Sequence, residues 1–245
     1  MQLVFWEWMI RSGEGPYRAR QMFNVTEVCD GPIWTFNRMG ATETQLQDGR
    51  VISIGGEHED FYDPDFCICN DVIVRRQEDR TEIYGYPEHI FPPTDFHTAS
   101  LLDGRIVIVG CLGYQSSRRP GHTPVYLLDL VDYHISEATT AGDNPGWIFK
   151  HEAELEADVV IRVRRGQVVH ANGDGQRYRR NLEEYTLDTK SWTWGRATTG
   201  TGNSSGFGRR VWALLSWTGG PNPKKYCRAA STMFARSVTN GTACG

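Results

Sequence analysis

Asp48-Gly49-Arg50-Val51-Ile52-Ser53-Ile54-Gly55-Gly56 and Asp103-Gly104-Arg105-Ile106-Val107-Ile108-Val109-Gly110 decide the fold. Each is a polar turn followed by a β-rich run that ends in glycine. A looser third version, Arg165-Gly166-Gln167-Val168-Val169-His170-Ala171-Asn172-Gly173, follows at a comparable interval. A period of roughly 50–60 residues marks a repeat architecture. An Asp-Gly pair between two β-rich segments marks a hairpin, because both central residues of a tight I′ turn need positive φ.

The surroundings of the three runs repeat as well. Before them lie candidate strands at Ala41 to Gln47, Phe96 to Leu102 and Glu154 to Val163. After them, beyond a polar loop, come Asn70 to Arg75, Pro124 to Asp129 and Asn181 to Leu187, and then short closing segments at Thr81 to Tyr84, Tyr133 to Ser136 and Ser191 to Trp194. The pattern predicts three antiparallel four-stranded meanders. Val-Ile-Ser-Ile and Ile-Val-Ile-Val do not alternate apolar with polar, so both faces of these second strands are expected to be buried, as they are when sheets stack face to face.

These residues resemble the kelch-repeat β-propellers. The resemblance rests on the Asp-Gly turn, the β-branched strand closing on Gly55-Gly56 or Gly110-Cys111, and a later strand with an aspartate before an aromatic closing strand. Asp95-Phe96-His97-Thr98-Ala99-Ser100-Leu101-Leu102-Asp103-Gly104 is particularly like the opening of a kelch repeat. It covers about residues 34–195, and the departures are Cys111 for the second glycine and Ala171-Asn172-Gly173 in the third copy. The resemblance implies an all-β propeller or partial propeller of four-stranded antiparallel blades. It implies a scaffold more than an activity.

The chain divides into an N-terminal segment (1–33), which adds a strand to a blade or forms a helix from Leu3 to Arg11, the repeat region (34–195), and a Gly/Ser/Thr-rich tail (196–245). Within the tail, Val211 to Trp217 reads either as the inner strand of a degenerate fourth blade or as a docking segment. Propellers have about 4–8 blades. Three therefore require closure by the two termini, a homodimer that completes the ring, or an open partial propeller.

With 245 residues and a net charge of −4, the chain suits one large soluble all-β domain or two small ones and gives no whole-chain argument for nucleic-acid binding. No apolar stretch long enough to span a membrane occurs, and the first ten residues lack a basic start and a cleavage site, so a cytoplasmic location is expected. The six cysteines are scattered and require no disulfide framework.

Catalytic motifs are absent: neither His58-Glu59 nor His151-Glu152 continues as a zinc-protease pattern, and no nucleophile elbow or phosphate loop occurs. The acidic loop Glu57-His58-Glu59-Asp60-Phe61-Tyr62-Asp63-Pro64-Asp65 combines carboxylates with an imidazole, so Glu57, His58, Asp63 and Asp65 are weak candidates for a divalent cation beside a plain solvated loop. Cys67-Ile68-Cys69 places two thiols on one strand face, but a pair with no second pair is a weak zinc signal. The corresponding loop of the second unit carries Tyr114, Arg118 and Arg119, whose guanidinium forks either recognise carboxylate or phosphate or, for one arginine, pair with the acidic loop of the neighbouring blade. His97 and His151 open the second and third units at equivalent places, either as a ligand pair near the channel or as hydrogen-bonding corner residues. Trp34, Trp147, Trp192 and Trp194 are expected to pack between blades.

The expected function is noncatalytic binding of a protein or other ligand through rim loops, with His58, Glu59, Asp60, His97, Tyr114, Arg118, Arg119 and His151 as contacts. No cofactor is expected, and the partners are a protein, with neither nucleic acid nor membrane. The alternative is a metal-dependent enzyme with its site at the channel or in the 57–65 loop.

Overall fold

The computed structural model describes residues 4–25, 34–58, 66–77, 80–157, 159–173 and 175–197. Two short helices, α1 (Val4–Ser12) and α2 (Pro16–Phe23), precede an otherwise β chain. The helical alternative for the N-terminal segment is therefore the one observed. Pro16 opens α2 at a position whose N–H would be unpaired in any case.

The first sheet contains β1 (Thr42–Gln45) and β2 (Val51–Ile54). A short hairpin, β3 (Glu57–His58) with β4 (Cys67–Ile68), follows, and β5 (Asp71–Arg75) and β6 (Thr81–Gly85) complete the sheet in the antiparallel order β1-β2-β5-β6. The second sheet is built from β7 (Thr98–Leu102), β8 (Arg105–Val109), β9 (Val125–Asp129) and β10 (Ile135–Glu137), again a plain meander. Next come β11 (Ala141–Gly142) and β12 (Trp147–Phe149), then β13 (Glu152–Glu156), β14 (Val160–Arg164), β15 (Gln167–Asn172), β16 (Gly175–Arg180), β17 (Tyr185–Asp188) and β18 (Thr193–Arg196). The third meander is β13-β14-β17-β18, with β11 added parallel to β18, while β12, β15 and β16 form a separate three-stranded sheet.

The third unit corrects the expected register. Glu154 to Val163 is not one strand: it spans β13, a turn and most of β14. The run from Gln167 is not the second strand of the meander but the hairpin that follows it, equivalent to β3-β4. The true equivalents are the strand ends Gly55, Gly110 and Arg165, all with positive φ and evenly spaced by 55 residues. Glycine tolerates that conformation freely, and arginine does not.

Close approach explains why two of these positions are glycine. A Cβ on Gly55 would lie 2.2 Å from the Thr94 carbonyl oxygen, and one on Gly110 would lie 2.3 Å from that of Ile148. Each carbonyl is bonded by the next amide, Gly56 N to Thr94 O at 2.8 Å and Cys111 N to Ile148 O at 3.0 Å. Gly110→Ala is expected to cost about 1–3 kcal/mol or more, since strain and overlap act together. Arg165→Gly is expected to leave stability unchanged or raise it, and chemical denaturation of the two variants checks the contrast.

The sheets stack through apolar faces. Ile106 and Ile108 of β8 point into a cluster with Ile52, Ile54, Val72 and Val74 of the first sheet, whereas Val107 and Val109 point the other way, toward Ile161, Val163, Leu187 and Trp194 of the third. These four β8 side chains are fully buried, and Arg105 at the start of β8 is exposed. The expectation of a strand buried on both faces holds for β8, in the middle sheet, and for Ile52, Ser53 and Ile54 of β2. β14 lies at the end and alternates: Ile161 and Val163 face inward, while Arg162 and Arg164 face outward and pair with Glu156, Glu184, Glu152 and Glu154.

The first strands form a continuous series. β7 packs against both β1 and β13, and the corner amides hand on from unit to unit, Phe96 N to Gly40 O at 2.8 Å and Lys150 N to Phe96 O at 2.9 Å. One residue later come His97 and His151, and Ala41 holds that place in the first unit. On the flank of the first sheet, Trp34 meets Trp6 of α1 edge-on, and Asn37 donates to the Gly13 carbonyl at 2.6 Å.

Beneath that flank lies a buried ion pair. Arg38 and Asp71 side chains are only 2% and 8% exposed and pair through both terminal guanidinium nitrogens. Arg38 also donates to Thr35 O at 2.7 Å and Gly55 O at 3.1 Å, and the Trp34 indole donates to Asp71 at 2.6 Å. Every strong group here is satisfied, as burial of a charge pair requires.

Candidate binding face

The connection after the second strand of each unit projects toward one edge, and the three connections are laced together. In the first unit it is the β3-β4 hairpin, where Glu57 pairs with Ile68 and His58 with Cys67. In the second it is the irregular loop 110–124, and in the third it is the β15-β16 hairpin. Tyr114 of the middle loop accepts the Ile68 amide at 2.8 Å and meets Phe66 edge-on. Gln176 of the third donates to the Gln115 carbonyl at 3.3 Å.

Arg118 fixes the middle loop from within. Its guanidinium donates to Leu112 O, Gly113 O, Gln176 Oε1 and the Tyr178 hydroxyl, the last at 2.6 Å, and stacks over the Tyr178 ring. The donors expected to meet a ligand are thus spent on the protein itself. Arg119, its neighbour, is exposed. Trp147 closes the loop from below, buried and donating its indole N–H to Leu112 O at 3.0 Å. Of the other tryptophans, Trp194 is buried and Trp192 half-buried in the cluster between the second and third sheets.

A buried carboxyl that the sequence does not single out lies behind this loop. Asp95 is wholly inaccessible and accepts the Gly113 amide at 2.6 Å. Burial pushes its carboxyl above the ordinary range, opposed by the Gly113 amide, the neighbouring Glu57 side chain and the Arg118 charge. The signal available in sequence was its place before the Phe96-His97 corner, which Leu112 N marks by bonding the Asp95 carbonyl at 3.0 Å.

His97 and His151 are buried at the unit corners, and each Nε2 meets a threonine hydroxyl of the preceding unit at 2.8 Å, Thr42 for His97 and Thr98 for His151. Their Nδ1 atoms have no hydrogen-bond partner among the described residues. Burial lowers both imidazoles to about 3, with the neighbouring His151 adding to the effect at His97. They are neutral at physiological pH.

His58 lies half-buried in β3, away from these corners. Glu59, Asp60, Asp63 and Asp65 fall outside the described residues, as does the segment Val211 to Trp217. Among the described residues no three His, Cys, Asp or Glu side chains gather as a metal site. Cys67 is disulfide-bonded, a link that the sequence does not foretell, and this removes Cys67 from any thiolate pair with Cys69. The free thiols of Cys69 and Cys111 are both raised by burial, Cys69 to about 12, so neither supplies a thiolate near neutral pH.

No protein-family model and no curated protein matches the chain. No helix among the described residues is long and apolar enough to cross a membrane.

Proposed function

We propose that the chain is a noncatalytic binding module, an open kelch-like partial propeller whose laced loop edge takes a protein partner. The observation that carries this reading is the way Tyr114 and Arg118 are spent on holding the 112–118 loop against both neighbouring hairpins. A loop fixed in advance presents Gln115, Ser116, Ser117 and Arg119 with little ordering cost on binding. The charged, ion-paired outer face of the third sheet favours an open arc over a ring completed by a second copy, since a further blade would have to bury those pairs.

A metal enzyme at His97 and His151 has less support, because each Nε2 is already engaged by a threonine. The disulfide at Cys67 favours an oxidising compartment over the cytoplasmic one expected from the N-terminal sequence. Immobilised protein is expected to capture a partner whose recovery falls about ten-fold in the Ser116→Trp/Arg119→Glu variant, with Tm unchanged. Equal recovery by the variant removes the loop edge as the contact surface.

A further inference from the structure

β16 is the outer strand of the sheet β12-β15-β16. β15 pairs with one of its edges, and along the other no backbone hydrogen bond reaches a described residue. Its six residues, Gly175–Arg180, include Arg177, Arg179 and Arg180, all exposed. None of the three has a carboxylate partner among the described residues, whereas Arg162, Arg164 and Arg165 of the same unit are each paired with glutamate. On a chain of net charge −4, three arginines with no carboxylate partner among the described residues, all on one strand, are a local excess of the opposite sign.

The hairpin is held firmly enough to act as a template. Cross-strand register puts Arg177 opposite His170 and Arg179 opposite Val168, so these two arginines share one face. On the opposite face Tyr178 stands edge-on to Phe149 at 5.3 Å and accepts Arg118, and Gln176 ties to the middle loop. An incoming strand therefore meets a pre-ordered edge whose charges recur at every second residue, about 7 Å apart.

We propose that β16 takes an acidic, extended segment of a partner protein as an added strand, with Asp or Glu side chains at alternate positions paired to Arg177 and Arg179. Main-chain bonds to the free edge supply affinity, and the alternating charges supply register and selectivity. The proposal rests on the binding-module reading and names the partner's chemistry. A second copy of β16 is a poor occupant because arginines would face arginines. Residues 198–245 of the chain are also poorly matched, since they contain no Asp or Glu and several Lys and Arg.

The test uses the full chain and fluorescence anisotropy with a labelled peptide alternating glutamate and valine. Controls are the same peptide with lysine for glutamate, a version N-methylated at alternate backbone amides, and a single-stranded RNA of matched charge. The glutamate peptide is expected to bind, with an affinity lowered about ten-fold or more by Arg177→Glu/Arg179→Glu and less by Arg177→Gln/Arg179→Gln. N-methylation is expected to abolish binding. Equal binding of the N-methylated peptide, tighter binding of the RNA, or unchanged affinity in the arginine variants overturns strand addition. If the Ser116/Arg119 variant loses its partner while the β16 variants keep the peptide unchanged, the loop edge stands and strand addition alone falls. If the β16 variants lose the peptide while the Ser116/Arg119 variant still captures its partner, strand addition stands and the loop edge falls.

Discussion

Arg38→Met is expected to destabilise the fold by about 3–5 kcal/mol, because it strands Asp71 as a buried, uncompensated carboxylate. The side chains of both partners are almost inaccessible, so water cannot replace the guanidinium. The loss extends beyond the pair: the Thr35 and Gly55 carbonyls lose a donor, and the Trp34 indole loses the cation over its ring. Arg38→Met/Asp71→Asn is expected to recover part of the loss, since the stranded charge is gone. Urea denaturation of wild type, both single variants and the double variant reads this as a coupling energy. An additive cycle would mean that the pair contributes nothing specific.

Acid is expected to unfold the protein through its two corner histidines. Each imidazole is held neutral when folded, with its pKa lowered to about 3, and returns to the ordinary value of about 6.5 when unfolded. A lowered folded pKa means that the unfolded state binds the proton first. The stability is complete above about 6.5 and is lost progressively as pH falls toward 3. At pH 4.5 the unfolded state is favoured by about 2–3 kcal/mol per histidine relative to neutral pH, or about 5 kcal/mol for both. Asp95 acts in the opposite sense, since a carboxyl raised by burial loses stability as pH rises through its folded value, and so opposes the loss. His97→Gln/His151→Gln is expected to flatten the fall in stability between pH 6.5 and 4.5 by the equivalent of up to two protons. If wild type and variant show parallel pH profiles, the imidazoles are not neutral in the fold.

Much of the first two units was legible because their signals are local. Asp48-Gly49 and Asp103-Gly104 mark hairpins, and an unbroken Ile-Val-Ile-Val marks a strand with two covered faces. The third unit lost both signals. Ala157-Asp158-Val159 stands where Asp-Gly stood, and β14 alternates arginine with apolar residues because only one of its faces is covered. The nearest match to the pattern is then Gln167 to Asn172, one strand too late. The even spacing of Gly55, Gly110 and Arg165 was the recoverable clue. It was hidden because arginine occupies the third left-handed position. The loop edge was legible as a location but not in its roles. Arg118 read as a donor for a ligand or for the neighbouring acidic loop because Gln176 and Tyr178, which absorb it, lie about sixty residues downstream.

The corner contacts also give the series of units a direction. A histidine in each later unit grasps a threonine in the one before, yet Ala41 holds the grasping position in the first unit and Glu152 the grasped position in the last. Of the three units, only the middle one has both halves of the clasp, together with fully buried apolar side chains on both faces of its second strand. The first and last units are thus written as terminators and the middle one as a link. A longer descendant of this architecture would arise by copying the link within the chain, since a unit added at either end would find nothing to clasp.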